Sequence, residues 1–113
     1  MAIFPHGGYS IDDMSQLSLD QYVVDVLMPD LVGHDKSQSA FIVYLYLWRC
    51  AGSRGRVQAS YSTIAADTGL SRAGAQRAVA LLKRRKLVSM TKATPTSVPE
   101  YRVARPWVGR IPG

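Results

Sequence analysis

The sequence predicts an α+β fold with helices first and a β-hairpin last, and three observations carry that prediction. Two short segments, residues 60–68 and 71–86, place apolar residues at helical spacing on either side of a glycine. A longer apolar run precedes them over residues 37–51. Two strand-forming segments follow, separated by a loop rich in Pro, Ser and Thr. The chain has 113 residues, enough for one domain with one core. Its 47% hydrophobic and 19% charged content is an ordinary globular balance and excludes wholesale disorder.

Residues 1–18 mix Pro5, Gly7 and Gly8 with polar side chains and read as an arm. The domain is expected over residues 19–105. In residues 19–28, Leu19, Tyr22, Val23, Val26 and Leu27 recur at helical spacing until Pro29 stops the pattern, which predicts a short additional N-terminal helix. The next run, from Ala40 to Trp48, is apolar almost all round. Its β-branched and aromatic content leans towards strand, but residues 37–51 are too long for a typical strand, so a helix is expected. Asp35 or Ser37 caps its start and Gly52 marks its exit. Such an element is either central to the fold or gives one face to a partner chain.

A turn and short strand occupy residues 54–59, and Ser60 or Ser62 opens a compact helix through Thr68, with Ile64 and Ala65 inward and Gly69 ending it. Ser71 caps the next helix, which runs to about Lys86 and turns Ala75, Ala78, Val79 and Leu82 inward. Residues 87–91 and 101–103 form the hairpin around a loop at residues 93–99, and residues 106–113 are a tail.

The order is three core helices, with a short strand after the first, then a hairpin wing. The stretch from Ser60 to Val88 resembles winged helix-turn-helix domains, and looks most like those of bacterial and plasmid replication proteins and of MarR- or GntR-type regulators. The family pattern, S-x-x-x-L/I-A-x-x-x-G-L-S-x-x-x-V-x-x-A-L-x-x-L-x-x-x-G-L-V, is matched by Ser60, Ile64, Ala65, Gly69, Leu70, Ser71, Ala78, Val79, Leu82, Leu87 and Val88. Ala75 stands where a β-branched residue is usual, and Lys86 replaces the common Gly before the wing. The resemblance implies a bacterial protein, cytoplasmic and nucleoid-associated, that acts in transcription regulation or in plasmid or phage replication.

Charge agrees with a polyanionic partner. The net charge is +6 and the isoelectric point about 9.8. Up to Ser53, Lys36 and Arg49 face six aspartates, a net of −4, whereas the remainder sets twelve cations against Asp67 and Glu100, a net of +10. Segregation of this kind presents one face to an anion and keeps another away from it. In such a fold the second helix of the pair enters the major groove. Arg72, Gln76 and Arg77 are the candidate base readers, because Arg pairs bidentately with guanine and Gln with adenine. Ala73 and Gly74 are expected on the same outward face, where they permit close approach.

Lys83, Arg84, Arg85 and Lys86 exceed what a helix dipole needs and are candidate phosphate contacts. Ser60, Tyr61, Ser62, Thr63 and Ser71, at the two helix starts, are further candidates through hydroxyls and free N–H groups, although capping explains the serines equally well. Lys92, Thr94, Thr96 and Ser97 in the wing, supported by Arg102, complete the set. One recognition helix covers only a few base pairs, so specific binding calls for a dimer or a tandem domain; a homodimer is expected, with apolar surface offered by residues 19–28 and by the long helix. The acidic N-terminal part faces away from DNA or takes a protein partner. The competing readings are a protein-interaction module on the same scaffold and nonspecific nucleic-acid binding.

Nothing points to catalysis, a cofactor or a metal. His6 and His34 are far apart, Cys50 is the single cysteine and is expected to be a buried small side chain, and Asp12-Asp13 sits in the arm. Gly7-Gly8 and Gly52-Ser53-Arg54-Gly55 match no nucleotide-binding fingerprint. Phe41, Tyr44 and Trp48 share a helix face and are expected in the core. No apolar run approaches the roughly 20 residues that span a bilayer, and the N-terminus lacks the pattern of a signal peptide. A cytoplasmic setting and a role without enzymatic activity are the expectations.

Overall fold

The computed structural model describes residues 16–108. Most of the expected arm, with Asp12 and Asp13, and residues 109–113 of the tail lie outside the described residues. Among the described residues the chain forms α1 (Gln38–Ala51), β1 (Arg56–Gln58), α2 (Tyr61–Thr68), α3 (Arg72–Arg84), β2 (Val88–Thr91) and β3 (Glu100–Val103). Two π-helical turns, Val23–Leu27 and Pro29–His34, precede α1. The strands make an antiparallel sheet in the order β1-β3-β2. This is an α+β winged helix-turn-helix: α2 and α3 are the helix pair, and the β2–β3 hairpin is the wing.

The helices begin where short polar side chains satisfy orphan N–H groups. Ser37 Oγ accepts from Ala40 N at 3.1 Å, Ser60 Oγ from Thr63 N at 3.0 Å and Ser71 Oγ from Gly74 N at 2.9 Å. Gly69 ends α2 with φ of 83°, a left-handed conformation that suits glycine. Between Ala51 and β1 the chain reverses through Gly52 and Gly55, both at positive φ.

The long apolar helix is the central element. α1 packs against α2, α3, β1, β3 and the second π-helical turn. Ala40, Val43, Tyr44 and Leu47 are fully buried in it, and Phe41 nearly so, while Trp48 is half-buried. Two phenols extend its reach: Tyr44 donates to the Ala104 carbonyl at 2.8 Å and Tyr46 to Asp67 of α2 at 2.6 Å. Burial pushes both hydroxyls well above the ordinary tyrosine pKa, so they stay protonated and keep the hydrogen they donate. Cys50 is half-buried rather than buried, and burial raises its thiol pKa.

The N-terminal segment departs from expectation. Pro29 does not end it: the chain continues helically, because a proline at the first position of a new turn gives up an N–H that has no partner there. The bonds are of the wide kind, with Met28 N–H donating to Val23 O and Asp35 N to Asp30 O at 2.9 Å. Burial consequently falls on Val23, Leu27 and Leu31, four residues apart, and Val26, expected inward, is 40% exposed.

Trp107, which the sequence places in the tail, is buried. Its ring stacks on Tyr22 at 4.7 Å and on Trp48 at 6.4 Å, and its Nε1 donates to Asp20 at 2.8 Å. Arg105 also grips Asp20, through Nε at 2.9 Å. Asp20 therefore joins the two ends of the described chain.

Candidate nucleic-acid interface

The periodicity of α3 divides it cleanly. Ala75, Ala78, Val79 and Leu82 are buried as expected, and Arg72, Ala73, Gln76, Arg77, Ala80, Lys83 and Arg84 are exposed. Gly74 is a correction. It lies four residues before Ala78 on the inward side and is buried, so it does not ease approach to a ligand. A Cβ there would stand 3.0 Å from Ser71 Oγ, the atom that caps the helix, so the glycine protects the cap.

Arg72 lies over the Tyr61 ring of α2, its guanidinium carbon 5.9 Å from the centroid. That contact links the first residue of each helix in the pair, a feature without a sequence signature of its own. Ser62 and Thr63 are exposed beside them, and Tyr61 is half-buried. The Ser60 hydroxyl is engaged twice, accepting from Thr63 N and donating to Thr63 Oγ1 at 3.0 Å, and Ser71 Oγ is engaged at Gly74. Both serines serve as caps.

The basic run does not act as one unit. Lys83 and Arg84 are exposed on the last turn of α3. Arg85 is a correction to the phosphate set: its guanidinium bridges Asp30 and Asp35 of the N-terminal segment. The Asp30 hydrogen bond, with both aspartate charges behind it, raises the Arg85 pKa further. On the acid side, the His34 ring and the Arg85 charge hold Asp35 below the ordinary carboxylate range.

Lys86 ends the helix at positive φ, 59°. Lys86 N donates to Lys83 O at 3.0 Å and Leu87 N to Leu82 O at 2.9 Å, the paired bonds of a Schellman motif, with buried Leu82 and Leu87 as its apolar contact. This position explains the glycine in the family pattern, and also why α3 stops at Arg84, short of the expected Lys86. A lysine held there costs about 1 kcal/mol relative to glycine.

The wing pairs Val88 with Val103, Ser89 with Arg102, Met90 with Tyr101 and Thr91 with Glu100. Its loop is ordered by a turn in which Ser97 N donates to Thr94 O at 3.1 Å, with Pro95 at the second position, where its fixed φ fits. The Ser97 hydroxyl also donates to Thr94 O, at 2.8 Å, so it serves the turn rather than a ligand. Lys92, Thr94 and Thr96 are exposed, and Arg102 is exposed on the sheet rather than at the wing tip.

Among the described residues no group of His, Cys, Asp and Glu could hold a metal ion, and no helix is long and apolar enough to cross a membrane. Residues 34–88 match the family model of a helix-turn-helix domain. The match runs from the end of the N-terminal segment through α1, α2 and α3 to the first residue of the wing. No curated protein and no solved structure matches the chain.

Proposed function

We propose, starting from the helix-turn-helix domain matched over residues 34–88, that this chain binds double-stranded DNA sequence-specifically, with α3 in the major groove. Arg72, Gln76 and Arg77 read base edges, and Lys83, Arg84, Lys86 and Lys92 contact phosphates, with the Ser62 and Thr63 hydroxyls beside them. The observation that carries the reading is charge placement. Arg77, Lys83 and Arg84 project from α3 without an acidic partner among the described residues, while Arg85, just past the helix end, is paired with the acidic segment. Lys86 supports it too, since a cation is kept at a left-handed position that glycine fills more easily.

The N-terminal segment is the proposed dimer surface, because Val24, Val26 and Met28 are exposed together there, whereas α1 exposes a single large apolar side chain, Ile42. Such a dimer fits a role as a transcriptional regulator or as a plasmid or phage replication protein.

The test is binding to duplex DNA across a salt series, after selection of a preferred duplex from a random pool. Gln76→Ala and Arg77→Ala should each cost about 1–3 kcal/mol on the preferred duplex and leave the log–log salt slope unchanged. Lys86→Gln should weaken all duplexes alike and flatten the slope by roughly 0.9. A folded protein without salt-dependent binding at low ionic strength overturns the reading in favour of a protein-interaction module. Binding without any selected preference leaves only nonspecific nucleic-acid affinity.

A further inference from the structure

The register of the sheet sets two arginines side by side on its solvent face. Arg56 of β1 stands directly opposite Arg102 of β3, and Ser89 of β2 flanks Arg102 on the other side. Strand alternation turns Val57, Met90 and Tyr101 towards the helices and leaves Arg56, Ser89 and Arg102 exposed. Arg54, also exposed, lies two residues before Arg56 in the turn that leads into β1. None of the three arginines forms an ion pair with a described residue. Glu100 shares the face, on the row next to Arg102, and leaves the cluster with an excess of cations.

Like charges directly opposite on neighbouring strands repel at close range. A folded chain that keeps such a pair unpartnered holds an arrangement that an anion would relieve, and planar guanidinium groups suit phosphate oxygens. We propose that this sheet face is a second anion-binding site that takes a backbone phosphate of duplex DNA, with Arg56 and Arg102 as its principal donors. The Ser89 hydroxyl stands beside them and Arg54 at the edge. The site extends the footprint beyond α3 and the wing tip, and it rests on the DNA-binding reading above.

The experiment measures binding of the full chain to a random-sequence duplex across a salt series, for wild type, R56Q/R102Q and R56K/R102K. The glutamine pair should flatten the salt slope by roughly 0.9 for each phosphate that is no longer neutralised, and leave the preference between duplex sequences unchanged. Its melting temperature should match or exceed that of wild type, because a repulsion is removed. The lysine pair should retain the slope. A glutamine pair with the wild-type slope overturns the site, and so does a lower slope accompanied by a fallen melting temperature or shared by the lysine pair. Wild type that binds duplex and is weakened by R72A/R77A, yet is indifferent to R56Q/R102Q, removes this site alone. Wild type that binds no duplex at all removes the DNA reading itself.

Discussion

The N-terminal segment and α3 treat their charges in opposite ways. Asp20, Asp30 and Asp35 each meet a cation from the other half of the chain, Arg105 or Arg85. On α3, Arg77, Lys83 and Arg84 have no acidic partner among the described residues. The two regions also differ in backbone. The acidic segment is wound in wide π-helical turns and held by distant contacts, while α3 is a regular α-helix with a serine cap and a Schellman exit. Paired charges here serve cohesion, and unpaired ones are available to a ligand. The contrast teaches that a count of cations overstates an interface, since one member of a four-residue basic run belongs to the fold.

Removing the anchor of the N-terminal segment should have the largest effect. Trp107→Ala deletes the stack on Tyr22 and Trp48 and leaves Asp20 without its indole partner. A loss of about 3–5 kcal/mol is expected, as for other buried aromatic truncations, measured by urea unfolding. A loss below about 1 kcal/mol would break the comparison by showing that the contact between Asp20, Tyr22 and Trp107 is not integral to the core.

Acid should loosen the same region. The carboxyl of Asp20, held by the Trp107 indole and Arg105, and that of Asp35, held by His34 and Arg85, lie below the ordinary carboxylate value of about 3.9. Their folded pKa values are depressed, so the stability they contribute is fully present above that ordinary value. It is lost as pH falls through the folded values. Melting temperature should therefore decline below about pH 4, and Asp20→Asn and Asp35→Asn should flatten the decline. Equal slopes in wild type and both variants would contradict the pairing.

The basic run supplies the finest discrimination. Arg85→Gln should lower the melting temperature and leave the salt slope of DNA binding unchanged. Lys83→Gln and Arg84→Gln should each flatten that slope by roughly 0.9 with little thermal effect. If Arg85→Gln flattened the slope as its neighbours do, the division between structural and ligand-facing cations would fail.

How much of the molecule is legible in its sequence depends on distance along the chain. Ser71 is visible as a cap, and Ser37 and Ser60 each as one of two candidates, because a cap reaches only three residues ahead. The inward row of α3 is visible because 3.6-residue periodicity fixes it. The burial of Gly74 follows from the same spacing, although a residue with no side chain adds nothing to the apolar pattern. Arg85 escapes a local reading because its partners lie 50 and 55 residues away. The Arg56–Arg102 pair is equally remote, since it exists only through the β1–β3 register. Pro29 misleads for a different reason: proline stops a helix only from its interior, and here it opens a new turn.

The sequence by itself determined the winged helix-turn-helix order, the limits of α2 and α3 to within a residue or two, and, Gly74 excepted, the residues that α3 turns outward. Each of these follows from local propensity, capping and periodicity, which act over a few neighbours. Tertiary structure alone decided which cations remain available, where the N-terminal segment docks, and that Trp107 closes the core. Those outcomes depend on which charges and rings meet across the fold. No local pattern carries that information, because side chains far apart in sequence become partners only when the core brings them together.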